Sequence, residues 1–213
     1  MAGNINQIEP PALPLGTDVY QRPYQDQLNN VHRLFYNRLT TVVNAVVGTY
    51  GGQYVDMPNG LFYHMDTQTL PLANTGYPVE FDTTYLGSGV SVVDTTKLTV
   101  AVPGVYNFQY SGCAKSTNAS SKNVFLWIVR NGVTIGYSTN AYTLSGNGTY
   151  GIIAWNFSID MQAGDYIQLY WSATDVNVSL VAEAPTSPHP GIPASVCAVL
   201  YVGPLPAILP TPP

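Results

Sequence analysis

From about residue 77 onward, apolar and polar residues alternate with the two-residue period of a β-strand. The segment GVYNFQYSG (104–112) places Tyr106, Phe108 and Tyr110 on one strand face and smaller or polar residues on the other. Comparable runs occupy 77–81, 90–93, 97–102, 123–130, 133–138, 150–160, 166–172, 176–182 and 195–202. Asn131-Gly132 between two apolar runs predicts a tight hairpin. About ten short strands without an intervening helix predict an antiparallel sandwich or barrel.

One stretch has a helical period instead. Residues 25–48 carry one apolar stripe with spacings of three and four, which is typical of an amphipathic helix ended by glycine. The stripe comprises Leu28, Val31, Phe35, Leu39, Val42 and Val46. Two interpretations remain open: the helix packs on its own β domain, or it meets copies of itself as a short parallel bundle.

The chain ends are rich in proline. Residues 1–24 are predicted to be extended, because several prolines oppose a helix. Their apolar residues are Ile5, Ile8, Leu13, Leu15, Val19 and Tyr20. The segment is either a disordered tail or an arm that lies in a groove of a partner. Residues 49–76 are predicted as a connector, 77–203 as the β knob, and 204–213 as a proline-rich extension.

Charged residues make up only 9% of the chain, against about 25% in an ordinary soluble domain. The net charge is −5 with seven Lys and Arg, so the sequence offers no basic stripe for nucleic acid or an anionic membrane. No apolar run is long enough for a transmembrane helix. The N-terminal residues lack the pattern of a secretion signal, so we expect synthesis in a cytoplasm.

The sequence contains few residues with the spacing of a catalytic or metal site. His32, His64 and His189 fall in three separate zones without ligand spacing, and the acidic residues are scattered among predicted turns. Cys113 and Cys197 lack the spacing of a zinc or redox site, and the simplest interpretation is two buried, reduced thiols. We therefore predict no enzyme activity, no catalytic residue, no metal and no cofactor.

Four segments carry a family resemblance, in the order VAVPGVYNFQYSG (100–112), NVFLWIVRNGVTI (123–135), FSIDMQAGDYIQLYW (157–171) and CAVLYVG (197–203). Together they resemble the globular heads of the complement and tumour-necrosis-factor superfamily over roughly residues 77–203. The resemblance implies a ten-stranded jelly roll that packs as a tight homotrimer. It also implies that the strands of Cys113 and Cys197 are neighbours in one sheet, which leaves their pairing open.

The aromatic rows of the knob have two interpretations, a trimer interface or the core of the sandwich. The residues concerned are Tyr106, Phe108, Tyr110, Trp155, Phe157 and Trp171.

The combination of a proline-rich arm, the helix beginning QLNN and a charge-poor jelly roll looks like structural proteins of tailed bacteriophages. The resulting hypothesis is a homotrimeric capsid decoration, or cement, protein on the outer surface of the virion. Its arm would bind the major capsid protein. The alternative is a tail-fibre or receptor-binding tip that recognises a host surface glycan or protein, with Tyr142 and Tyr150 suited to stacking on sugars.

Overall fold

The computed structural model describes residue 19, residues 21–47 and residues 57–205. The chain divides into two compact units, Met1–Asp56 and Met57–Pro213.

The first unit contains helix α1, Arg22–Val47, which has 26 residues. The Gln21 carbonyl accepts the first helical hydrogen bond, from the N–H of Gln25 at 3.1 Å. The helix begins three residues earlier than predicted because Pro23 lies in its first turn, where no intrahelical N–H donor is needed. At 1.5 Å per residue, α1 is about 39 Å long.

The second unit is built from fourteen strands, several of them only two residues long. They are β1 (Asn59–His64), β2 (Gln68–Thr69), β3 (Tyr77–Pro78), β4 (Thr83–Ser88), β5 (Val90–Val93), β6 (Lys97–Val100), β7 (Gly104–Ser116), β8 (Lys122–Arg130), β9 (Val133–Thr134), β10 (Asn140–Leu144), β11 (Tyr150–Met161), β12 (Tyr166–Ala173), β13 (Val178–Leu180) and β14 (Ser195–Gly203).

The strands form two seven-stranded antiparallel sheets. In the first, named here the β7 sheet, the order is β2-β13-β7-β14-β1-β4. β13 and β14 pair with different segments of β7, and β11 pairs with β7 on the edge opposite β14. In the second, the β8 sheet, the order is β10-β8-β12-β6-β5, with β3 beside β12 and β9 beside β8. The predicted fold class is confirmed: the chain is mainly β, an antiparallel jelly-roll sandwich preceded by one helix.

The core lies between the two sheets and contains most of the predicted aromatic row. Tyr106, Phe108, Tyr110 and Trp171 are buried in one apolar cluster. For these four residues the structure supports the core interpretation, because buried side chains have no surface left for a neighbouring copy. The fifth and sixth residues of the set, Trp155 and Phe157, are only partly buried.

The sandwich begins within the segment predicted as a connector. Residues 59–64, NGLFYH, alternate between buried and half-buried positions and form β1, which lies between β14 and β4. The strand predicted over 133–138 is shorter than expected, because a turn at residues 136–137 follows Val133–Thr134.

Several glycines accommodate an aromatic ring at close range. On β7, the Tyr110 hydroxyl occupies the space that a Cβ on Gly112 would need. The same relation joins Gly60 to Phe62, Gly76 to Trp127, Gly104 to Tyr201 and Gly151 to Tyr142. In each pair the missing glycine side chain is what lets the ring lie against the backbone.

The carboxylate of Asp165 connects two turns at one end of the β8 sheet. It accepts hydrogen bonds from the Arg130 guanidinium at 2.7 Å, the Asn131 amide at 2.7 Å and the Gln162 backbone N–H at 2.8 Å. Burial alone would raise the pKa of Asp165, but the hydrogen bonds from Gln162, Arg130 and Asn131 lower it below its usual value. The network fixes the predicted Asn131-Gly132 hairpin against the turn before β12.

Candidate functional site

The outer face of the β7 sheet, the side away from the core, carries several exposed aliphatic side chains. Leu86 is 51% exposed, Ile152 59%, Leu200 45% and Val202 61%. The registers Leu200↔Asn107 and Ile152↔Cys113 place the side chains of Leu200 and Ile152 on the face opposite Tyr106 and Tyr110. A solvated antiparallel sheet normally carries polar residues on this side, so an apolar face indicates an interaction surface.

Uncharged polar side chains cross the middle of the same face. Asn107 donates hydrogen bonds to the Asn156 carbonyl oxygen at 2.6 Å and to the Ser158 hydroxyl at 3.1 Å. Gln109 in turn donates to the Asn107 side-chain oxygen at 3.1 Å. Among the described strands of this sheet, charged side chains on the outer face occur at its two ends, at Lys115 and Asp160.

The edge of the sandwich beside β11 is open. Among the described strands, β11 pairs only with β7, so a twelve-residue strand leaves one row of backbone groups unpaired. Residues 150–159 carry no charge that would discourage pairing with another chain. Trp155 and Phe157 lie at this edge with ring centroids 4.9 Å apart, and Phe157 stacks on buried Phe108 at 5.1 Å. Their partly exposed rings are available to a neighbour, which keeps the interface interpretation open for these two residues.

The predicted stripe of α1 is not buried. Leu28, Val31, Phe35, Leu39 and Val42 are half-buried, while Val46 is exposed. Beside this stripe, Leu34, Tyr36 and Val43 are also exposed. No side chain described in the helix is buried within the single chain, so the helix retains an apolar surface that association could cover.

All the cations of the described sandwich are used internally. Lys97 pairs with Asp94 at 2.6 Å, Lys115 with Glu183 at 3.2 Å, Lys122 with Asp175 at 3.1 Å and Arg130 with Asp165 at 2.7 Å. Residues 57–205 therefore offer no unpaired Lys or Arg to an anionic ligand.

The predicted histidines and acidic residues do not converge on a metal centre. His64 is nearly buried, with Nδ1 at 3.2 Å from an Asp82 oxygen and Nε2 at 3.8 Å from a Glu80 oxygen. Because the carboxylates face opposite ring nitrogens, they cannot converge with the imidazole on one ion. Within the part of the chain that is described, no group of three or more His, Cys, Asp or Glu is placed to hold a metal.

Both cysteines are buried free thiols rather than a disulfide. Burial raises the pKa of Cys113, and it raises the pKa of Cys197 to about 12. A nucleophilic cysteine needs a lowered pKa and an accessible sulfur, and these thiols have the opposite environment.

The structure describes only some of the residues predicted to contact a capsid or a sugar. Val19 of the arm is exposed, whereas Ile5, Ile8, Leu13, Leu15 and Tyr20 lie outside the described residues, as does 206–213 of the extension. Of the tyrosines suited to stacking on sugars, Tyr142 is partly exposed in the groove beside β11.

Tyr150 is engaged within the chain. Its hydroxyl bonds to Lys115 and Glu183, and the Lys115 ammonium lies 4.4 Å from its ring centroid. One face of that ring is therefore covered by a cation.

Sequence reasoning missed the aliphatic outer face of the β7 sheet. A signal was present, since SVCAVLYV of β14 is apolar at almost every position and therefore supplies apolar residues to both sheet faces.

Comparisons with known proteins identify no family. No family model matches the chain, and no curated protein matches it. Among solved structures, the globular domain of zebrafish complement 1qA protein matches with 15% sequence identity and a TM-score of 0.43. The match covers 68% of this chain and 97% of that domain. No helix among the described residues has the length and hydropathy needed to span a membrane.

Proposed function

We propose that this chain is a structural protein that assembles with two copies of itself through its sandwich and its helix. The observation that carries the proposal is the nearly uncharged outer face of the β7 sheet, with its exposed aliphatic side chains, next to an unprotected edge strand. In soluble proteins, exposed apolar surfaces and unpaired edge strands promote association between chains.

The two surfaces differ in kind, because one is a sheet face and the other is a sheet edge. A contact between the β11 edge of one copy and the outer face of the next is heterologous, and heterologous contacts form closed rings when the rotation allows. The sequence resemblance described above favours a ring of three. The incompletely buried stripes of three α1 helices would meet as a parallel bundle.

The biological role we propose is capsid decoration on a bacteriophage virion, with residues 1–24 binding the major capsid protein. Three arms on one trimer would bind at high effective concentration, so modest contacts would add to a stable attachment. This role requires no bond-making chemistry, in agreement with the inert environment of the cysteines.

Sedimentation of the full-length chain tests self-association. We expect a mass near three times 23.0 kDa, and we expect Leu200→Glu to reduce it by placing a charge in the centre of the outer face. Val133→Glu is the matched control, since Val133 is also an exposed aliphatic residue but lies on β9 of the other sheet. A monomeric wild type would refute the proposal.

A second pair of measurements separates the helix and the arm from the knob. Phe35→Glu charges the helix stripe, and a shift to monomer would make α1 essential to assembly. Deletion of residues 1–18 should leave the trimer intact and abolish co-sedimentation with capsids that lack the protein. If the deleted protein still binds those capsids, the arm does not attach it.

The second candidate role, a tail-fibre or receptor-binding tip, would use the same trimer and add a ligand contact on the knob. It is favoured by one observation, an exposed tyrosine at residue 137.

A further inference from the structure

Tyr137 lies in the turn between β9 and β10 and combines two unusual properties. Its side chain is fully exposed, and its backbone has a φ of 59°, in the left-handed region that favours glycine. A glycine is present in the turn, but at position 136, where φ is not positive. The chain therefore places a bulky aromatic residue at the strained position although glycine stands next to it.

The other non-glycine residues with positive φ each take part in a hydrogen bond or an ion pair. Thr95 accepts a hydrogen bond from the Phe81 N–H at 2.6 Å, and the Asn131 side chain bonds both Asp165 and the Tyr166 N–H. The Asp94 carboxylate pairs with Lys97, and the Asn74 N–H donates to the Ala173 carbonyl. Within the described residues, Tyr137 makes no hydrogen bond, ion pair or ring contact that would offset its strain.

The turn itself is firmly held. The buried Ser138 hydroxyl donates to the Ile135 carbonyl at 2.7 Å and accepts the Ile128 N–H at 3.2 Å. The Ile135 N–H donates to the Ile128 carbonyl at 3.0 Å. These bonds tie the turn to β8, so the Tyr137 ring is presented from a fixed backbone. The backbone that carries the contact residue therefore loses little conformational entropy when it binds.

The chemistry around the turn restricts the class of ligand. Residues 131–159 contain no charged side chain, and the charges that bracket this run, on Arg130 and Asp160, pair with each other at 3.7 Å. Nucleic acid, phospholipid headgroups and charged peptides would find no counter-charge within residues 131–159. The polar groups exposed near Tyr137 along the chain are the hydroxyls of Thr134 and Thr139 and the amide of Asn140.

We propose that the turn of residues 134–140 is a contact site for a neutral saccharide, with Tyr137 as its stacking residue. The apolar face of a sugar ring would pack on the phenol ring, and sugar hydroxyls would exchange hydrogen bonds with the neighbouring hydroxyl and amide groups. The site lies on the β8 sheet, and it does not depend on the proposed trimer contacts of the β7 sheet. Backbone strain without internal compensation is typical of residues retained for binding.

The test uses the full-length protein and four neutral probes: maltotetraose, cellotetraose, mannotetraose and tri-N-acetylchitotriose. We expect calorimetry or ligand-observed NMR to detect binding of at least one probe, unchanged between low and high salt. Tyr137→Ala should weaken that binding by about tenfold or more, whereas Tyr137→Phe keeps the ring and should retain it. Tyr85→Ala is the matched control, because Tyr85 is also an exposed tyrosine but lies on β4.

Thermal unfolding supplies a readout that a merely structural role would not give. Tyr137→Gly should raise Tm by about 2–4 °C through release of backbone strain while it removes saccharide binding. The mass in sedimentation should be the same in all Tyr137 variants. The proposal is overturned if no probe binds the wild type, if Tyr137→Ala binds as tightly as the wild type, or if Tyr137→Gly lowers Tm. Binding that weakens steeply with salt would also overturn it, because it would identify a charged ligand.

Discussion

Replacing Tyr110 with phenylalanine should stabilise the protein. Tyr110 is buried, and its hydroxyl has no hydrogen-bond partner among the described residues. Burial raises the pKa of this phenol far above its usual range, with a further contribution from nearby Cys197, so the hydroxyl stays neutral under working conditions. The substitution removes the unpaired polar group and keeps the ring in place.

The expected change in the free energy of unfolding follows from the burial of the Tyr110 hydroxyl. A buried hydroxyl without a partner destabilises the folded state by about 1–3 kcal/mol. Loss of the oxygen also removes van der Waals contacts with the backbone around Gly112, which offsets part of the gain. We therefore expect a net increase of about 1 kcal/mol in the free energy of unfolding, or about 2–4 °C in Tm.

Urea unfolding at a fixed protein concentration measures this effect, because association contributes to the apparent stability. The midpoint should rise with an unchanged m-value. Gly112→Ala is the companion variant: its Cβ would collide with the Tyr110 hydroxyl and should destabilise by about 1–3 kcal/mol. That loss should be smaller in the Tyr110→Phe background, since the closest atom is gone. A loss of stability in Tyr110→Phe would refute the reasoning, because it would mean that the hydroxyl is satisfied.

Asp165→Asn should lower the free energy of unfolding at pH 7 by about 2 kcal/mol, because a charged acceptor of three hydrogen bonds is lost. The lowered pKa of Asp165 means that its contribution is present at neutral pH and is lost as pH falls through that pKa, so urea unfolding of the two proteins should converge in acid. Cys113 and Cys197 should resist iodoacetamide at pH 8 in the native protein and react after denaturation, as mass spectrometry can determine. Rapid alkylation of the native chain would contradict the assigned burial.

The elements whose signal is local could be predicted from the sequence. The apolar stripe from Leu28 to Val46 predicts α1, with its first residue correct to within three positions. The pair Asn131-Gly132 predicts the hairpin. By contrast, β1 is short and owes its place to partners distant in sequence, as in the pairing of His64 with Ser195. Such a strand is stabilised by tertiary contacts and not by its own propensity.

The interaction surfaces were harder to predict for a different reason. Alternation assigns Tyr106 and Asn107 to opposite faces, but it does not say which face meets the core. Large aromatic residues suggested an interface, and the structure buries four of the six within the chain. The φ of Tyr137 had no local signature, because the adjacent Gly136 would be expected to take the left-handed position.

The five glycine–aromatic contacts also constrain how this sequence can evolve. A larger residue at Gly104 would collide with the Tyr201 ring, and a smaller residue at position 201 would leave a void above Gly104. Either change alone is unfavourable, whereas a paired exchange restores the packing. Homologous sequences should therefore show these positions covarying in pairs, including pairs such as Gly76 and Trp127 that are far apart along the chain.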